Sequence, residues 1–336
     1  MTEGTVASSA DASNGVHSPE PSDDPPTLGG ASIADRLYAA TITVFALCVP
    51  VLLVALIIEV GAAGWPAFKR FGIGFLFSSG WDPVREQFGV APAIVGTLVT
   101  SVIALVIATP LAIGVAIYVV EFAPRWLRQP ISFLVDLLAA IPSVVYGLWG
   151  IFVLVPVMRT YVMPFLRDTM HLGATPFFTG PAYGPSILTA GVILSIMALP
   201  YISSVSREVL MAVPRTQREA ALALGATRWE AIRGAVLPFA RTGIIGGIIL
   251  GLGRALGETM AVTLVIGNRH ELAASLFAPG YSIASLIANE FTEASGDLHL
   301  SALMAAGFVL FVITLIVNAI ARWLVWQMGD RVRGAV

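Results

Sequence analysis

Charge is scarce in this chain. Only 12% of its 336 residues are Asp, Glu, Lys or Arg, against 57% hydrophobic, and mean hydropathy is +0.84. Soluble domains carry about 25% charged residues, so the composition reads as an integral membrane protein. Lysine is rarer still: Lys69 stands alone, and arginine supplies the other basic positions. Lys69 follows Phe68, so the Gly-Lys pair of a GxxxxGK[ST] phosphate loop is missing, and ATP is not bound by that motif. A single cysteine, Cys48, makes neither an intrachain disulfide nor a cysteine zinc site. The four histidines, His17, His171, His270 and His299, are scattered without HExxH spacing, so no metal site is expected. There is no GxSxG elbow and no Cys/His nucleophile context. The chain reads as a non-enzyme, without cofactor or nucleic-acid partner.

What is present is long apolar runs. Crossing a bilayer as helix takes about 20 residues, and six runs qualify: 38–60, 92–120, 131–157, 186–206, 242–266 and 301–326. Residues 1–37 form a Ser-, Pro- and Asp-rich stretch that cannot bury a core; it is expected to be a disordered cytoplasmic tail rather than a secretory leader. Residues 38–336 then make one all-α, polytopic membrane domain. Arginines crowd into alternate connections. The tail, 121–130, 207–241 and the C-terminus hold about twice as many basic residues as the other side, which places both termini in the cytoplasm. Segment 61–90, with Trp65 and Trp81, has an interfacial profile, and 267–300 reads as a re-entrant or amphipathic piece. In the fifth run the glycines of GGIILG stand four apart, the spacing of close helix packing.

One polar stretch interrupts the grease: TQREAALALGATRWEAIRGAVLP, residues 216–238. Thr216 with Glu219, and Thr227 with Glu230, have capping-box spacing. Pro214 precedes the first expected helix, Gly225 ends it in a left-handed turn, and Pro238 is expected to stop the second. Two short helices around a glycine, between two spans, exceed what a connector needs. The segment is built either to dock in a groove of another protein or to lie along the headgroups.

Glu219, Ala220, Ala221, Gly225, Leu237 and Pro238 also carry a resemblance. Their spacing is similar to the EAA loop of ABC importer permeases, with Ala235 departing from the usual Ile. The resemblance implies a type I importer permease fold of six transmembrane helices. Residues 214–240 would hold a cytoplasmic coupling helix between spans 4 and 5, seated on an ATPase. IPSVVYGLWG (141–150), GLGRALGETMAVTLVIGN (251–268) and the run from Trp81 to Pro124 resemble more narrowly the PstC-type permeases of the bacterial phosphate importer, over nearly everything after residue 38. That implies import of inorganic phosphate across the bacterial cell membrane. It also implies a heterodimer with a PstA-type permease, a PstB-type ATPase dimer on the cytoplasmic side and a phosphate-binding protein outside. The competing readings are a permease for molybdate or sulfate, or a proton-coupled transporter using Glu258.

Arg254 and Glu258 stand four apart within the fifth run. On one helix they would share a face, one turn apart and near the midplane. A charge there costs at least about 2.5–3.5 kcal/mol, more than an i,i+4 ion pair returns at about 0.2–0.5 kcal/mol. Given the resemblance, Arg254 is expected to offer its guanidinium to phosphate, with Glu258 holding it in place. Asp136 is a weaker candidate that an arginine near the same membrane face could pair with, and Tyr146 and Ser143 could line the path as donors.

Overall fold

The computed structural model describes residues 33–294 and 296–333. The tail expected over residues 1–37 falls outside the described residues as far as 32, and helix begins at Ile33. The chain divides into two compact units, one ending at Val54 and one running from Ala55 onward. In the first unit, residues 33–54 are helical and exposed all round, with Leu37, Phe45 and Leu52 outward. Thr41 and Thr43 turn their hydroxyls back to donate to the carbonyls of Leu37 and Ala39, which hides two polar groups on an apolar helix.

The elements in order are α1 (Ile33–Phe71), α2 (Gly74–Phe77), the hairpin strands β1 (Trp81–Asp82) and β2 (Gln87–Phe88), α3 (Ala91–Ile117), α4 (Arg125–Ala140), α5 (Ser143–Trp149), α6 (Val155–Val157), α7 (Ile187–Ala212), α8 (Arg215–Ala223), α9 (Arg228–Ala231), α10 (Leu237–Leu256), α11 (Met260–Val265), α12 (Ile283–Glu290) and α13 (Asp297–Arg333). Several are joined by π-helical turns into longer rods. Six rods among the described residues are long and apolar enough to cross a membrane: Ile33–Phe71, Ala91–Phe122, Ser143–Thr169, Ile187–Ala212, Arg228–Leu256 and Asp297–Gln327.

The second unit is organised by α3 against α7. Ala104, Ala108, Ala112 and Ala116 recur every fourth residue along α3, and all four are 0% exposed. Against them lie Leu194, Ala198, Ile202 and Leu210 of α7. Between apolar helices in lipid, association depends on van der Waals contact, and small side chains let the backbones close up. α10 packs on the next face of α7 by the same device. A Cβ on Gly251 would come 2.7 Å from Ile202 Cγ1, and one on Gly247 3.1 Å from Val205 Cβ. Pro110 and Pro200 sit inside α3 and α7 without ending them, as membrane helices allow where neighbours re-satisfy the freed groups.

A satellite core forms where residue 55 onward of α1 meets α13. Gly64 lies against the Ala305 backbone, and Ser301 Oγ accepts from the Ala67 amide at 3.1 Å. Phe75, Phe88, Ile283 and Leu286 join this core. The 61–90 segment is thus the end of α1, α2 and a two-strand hairpin. The 267–300 segment carries α12, whose first turn is buried and capped by Ser282 and Ser285.

Two spans depart from expectation. The third was expected over 131–157, but the chain breaks at Ile141–Pro142. Proline pushes the residue before it out of the α region, and Ile141 is extended (φ −70°, ψ 129°). The preceding α4 is a separate amphipathic helix with no buried residue, and the spanning rod starts at Ser143. The fifth was expected over 242–266. Its rod starts at Arg228 and stops at Leu256, where Gly257 is the C-cap, and α11 begins anew at Met260.

Enlarging one alanine of the α3 stripe tests this packing. Ala108→Leu should cost about 1–3 kcal/mol by overpacking and lower the unfolding midpoint in detergent. Val106→Leu, on the exposed side of the same helix, should leave the midpoint nearly unchanged.

Candidate functional site

Within residues 214–240, α8, the Gly225 turn and the start of α9 form a knob at one end of the bundle, on the side reached by the C-terminal ends of α3 and α7. Pro214, extended at ψ 138°, is the N-cap of α8, which runs to Ala223. The expected Thr216–Glu219 capping box does not form. The proline fixes the helix start at Arg215, so Thr216 already lies inside the first turn and makes no cap bond. The second box does form: the Thr227 amide donates to Glu230 Oε2 at 2.7 Å, and the Glu230 amide donates to Thr227 Oγ1 at 3.3 Å. Between the helices Gly225 takes φ +88°. The Ala226 amide bonds to Ala221 O and the Gly225 amide to Leu222 O, the paired bonds of a Schellman stop. Nothing lies within 4 Å of where its Cβ would be, so backbone conformation alone requires glycine here.

The knob brings together Glu219, Ala220, Ala221 and Gly225. Glu219, Ala220 and Gly225 are exposed and Ala221 is half-buried. Leu237 and Pro238 lie elsewhere, in the rod behind the knob. Leu237 packs against Leu210, Ile232 and Val236. Pro238 does not stop the second helix; helix runs from Arg228 to Leu256 through it. A π-turn over Ile232–Val236 precedes it, and that wider turn makes room for a ring that would otherwise meet the carbonyl four residues back. Leu224 at 90% exposed and Trp229 at 52% stand out on the knob's surface. The sequence reading passed over both, although an apolar side chain beside a turn glycine is a visible signal.

Arg218 was counted only as one basic residue among many, yet it is the knob's anchor. Its Nη2 lies 2.8 Å from Glu121 Oε1, in the turn that ends the second span, and Nε donates to the same oxygen at 3.0 Å. Nη1 and Nη2 donate to the Val213 and Leu210 carbonyls at 2.9 and 2.7 Å. Asp136 also finds an arginine at this end of the bundle, Arg207 Nη2 at 3.1 Å.

Arg254 and Glu258 meet, but not on one helix. Arg254 belongs to the last turn of α10, Gly257 ends that helix, and Glu258 stands in the break before α11. Arg254 Nη1 reaches Glu258 Oε2 at 2.7 Å. Glu258 Oε1 also accepts from the Ala261 amide at 3.3 Å, one of the free donors at the start of α11. The two ends of the pair are unequally sheltered: the Glu258 side chain is 3% exposed and that of Arg254 35%. The Nε of Arg254 is buried with no partner among the described residues.

The 141–150 segment wraps this break. A Cβ on Gly147 would come 3.1 Å from Ala261 Cα, and Tyr146 shares a buried cluster with Ala255 and Ala261. The Tyr146 hydroxyl is committed: it donates at 2.7 Å to Leu138 O, near the end of α4. It is therefore not the free donor along a path that the sequence allowed. Ser143 opens α5.

The profile of the family described as "Binding-protein-dependent transport system inner membrane component" matches residues 108–329. The chain belongs to that family. The permease is 48% identical to the phosphate transport system permease protein PstC of Mesorhizobium japonicum, over 91% of this chain and 94% of that one. It is 48% identical to the PstC of Haemophilus influenzae, over 88% and 94%, and 41% identical to PstC 2 of Mycobacterium tuberculosis, over 89% and 93%. Its fold is that of ABC importer permeases. A chain of a bacterial alginate ABC transporter superposes with TM-score 0.54 at 21% identity, covering 87% of this chain and 99% of that one. The six-span importer fold and the PstC-type resemblance expected from the sequence are both borne out.

The unequal burial of the ion pair makes the single variants unequal. Arg254→Gln strands a carboxylate in an apolar site and should cost about 3–5 kcal/mol. Glu258→Gln keeps the acceptor for the Ala261 amide and leaves an arginine that water can reach, so its loss should be smaller. The double variant should regain much of the stability lost in Arg254→Gln. Thermal unfolding in detergent ranks the three; an Arg254→Gln variant no less stable than Glu258→Gln would overturn the assignment.

Proposed function

We propose that this permease carries inorganic phosphate into the cytoplasm as one subunit of an ABC importer whose energy comes from a separate ATPase. The observation that carries the reading is the Arg254 guanidinium. It stands at a break in a membrane rod, about 20 Å along the axis beyond Arg241. It is held on one side by Glu258, and its buried Nε has no partner among the described residues. A guanidinium matches tetrahedral oxyanions with paired donors, and a broken membrane helix is where transporters commonly place substrate sites. The names of relatives 48% identical over most of the chain specify the anion as phosphate.

The other parts follow from this reading. The knob is the coupling element, with Glu219, Ala220, Ala221 and Gly225 presented to an ATPase of PstB type and Leu237 and Pro238 backing it. The arginine excess on the knob's side supports a cytoplasmic position for the knob and both termini. A PstA-type permease completes the translocation path, and a phosphate-binding protein delivers the anion from outside. Arg254 attracts the anion, and Glu258 limits how tightly it is held.

Three experiments test this. For docking, Gly225→Val should abolish capture of the ATPase by the membrane-inserted permease, because a β-branched residue strongly disfavours positive φ. Gly225→Asn should retain capture. Equal capture by both variants would count against the knob as the docking element. For the path, labelled phosphate uptake is measured in cells lacking other phosphate importers, with membrane abundance checked by blot. Arg254→Gln should lose most uptake, and the Arg254→Gln/Glu258→Gln double variant should stay as defective although its stability recovers. Recovered uptake in the double variant would reduce the pair to a structural role. In the reconstituted complex, phosphate rather than molybdate or sulfate should stimulate ATP hydrolysis.

A further inference from the structure

The chain itself joins the knob to the bundle on both sides, and the two joints differ in stiffness. On its far side the chain runs on as a single rod from Arg228 to Leu256. On its near side, α8 follows α7 through Val213 and Pro214, with Val213 and Pro214 both extended. An extended two-residue joint transmits torque poorly, so α8 needs a further attachment if it is to move with the spans.

Arg218 supplies that attachment. It donates twice to Glu121 Oε1, at 2.8 and 3.0 Å, and once each to the last carbonyls of α7, Leu210 at 2.7 Å and Val213 at 2.9 Å. The Leu210 carbonyl otherwise accepts only a long 3.4 Å bond from the Val213 amide at the end of α7, and a guanidinium near a helix C-terminus is favoured there. Both charged side chains are sheltered, at 22% and 15% exposed, and lysine's ammonium, with all its donors on one atom, cannot reproduce the planar fork that reaches Glu121 and both carbonyls at once. The pair bridges 97 positions of sequence. It ties the knob's first helix at once to the end of the second span and to the end of the fourth. Glu219, the first residue of the exposed motif, follows Arg218 directly.

We infer that Arg218 and Glu121 form a positioning clamp that couples movement of the knob to the second and fourth spans, and so sets how much phosphate moves per ATP hydrolysed. The clamp touches neither substrate nor nucleotide. It acts by making α8 move with α3 and α7 rather than hinging at Pro214. This rests on the knob being the ATPase's docking element, as proposed above.

The test uses the full complex reconstituted in vesicles, with phosphate uptake and ATP hydrolysis measured in the same preparation. Glu121→Gln keeps the shape of the side chain and weakens the clamp from the span side. ATPase capture should stay at wild-type yield, and phosphate moved per ATP should fall at least about fivefold. Arg218→Lys, which keeps the charge but not the fork, should lower the ratio likewise. Uptake and hydrolysis falling in equal proportion in Glu121→Gln, or an unchanged ratio, overturns the clamp. Loss of ATPase capture in Glu121→Gln also overturns it and makes the pair part of docking. Failure of the unmodified permease to capture the ATPase instead overturns the docking reading itself.

Discussion

The close approach of α3 and α7 is the contact on which the rest depends. Lipid offers no hydrophobic reward for bringing two apolar helices together, so their association rests on how many atoms touch. A stripe of alanine every fourth residue on α3 gives a nearly flat surface for the Leu and Ile side chains of α7. Because the stripe runs from Ala104 to Ala116, through the C-terminal half of α3, it brings the C-terminal ends of the two helices into register. That register puts Glu121 beside the last carbonyls of α7, and Arg218 can then join all three. A slip of one turn between the helices would carry Glu121 about 5 Å away and leave the guanidinium without its carboxylate.

The break at residues 257–259 concentrates charge where the surroundings are least able to screen it. Gly257 ends α10, so amides at the start of α11 need partners, and the Glu258 carboxylate takes one of them. A carboxylate so placed requires a cation, and Arg254 is the nearest in sequence and in space. Helix termination, satisfaction of an orphan amide and charge neutralisation therefore converge on one side chain. Arg254 is the more exposed partner, although its Nε is buried and has no partner among the described residues.

Much of this was legible in advance, and the failures have specific causes. Hydrophobic length reveals spans because water is excluded over about 30 Å whatever the tertiary contacts are. The Thr227–Glu230 box and the Gly225 stop are local, set by residues within one turn, and they formed as the spacing predicted. The Thr216–Glu219 box has equal spacing but competes with Pro214, whose fixed φ decides where the helix starts. The break after Leu256 was invisible because GRALGETM is compatible with helix throughout. The helix nonetheless stops at Gly257, and the Glu258 carboxylate then takes up one of the amides that the stop leaves free. The role of Arg218 was illegible for a plainer reason: its carboxylate is in another span, and a single sequence carries no record of that pairing. The Arg254–Glu258 pair was found because both residues are anomalous in their own run, whereas Arg218 and Glu121 each look like ordinary residues at a membrane edge.

The unbroken rod from Arg228 to Leu256 has a geometric consequence. Its glycines at 247 and 251 rest on α7, while Trp229 is half-exposed at one end and the Arg254 end meets the break. Such a member is a lever with its fulcrum inside the membrane. Over a length of roughly 40 Å, a tilt of about five degrees displaces one end relative to the other by roughly 3 Å, enough to exchange one set of hydrogen-bond partners for another. A displacement imposed at the Trp229 end of such a rod is carried to the Arg254 end with no helix unwinding between them.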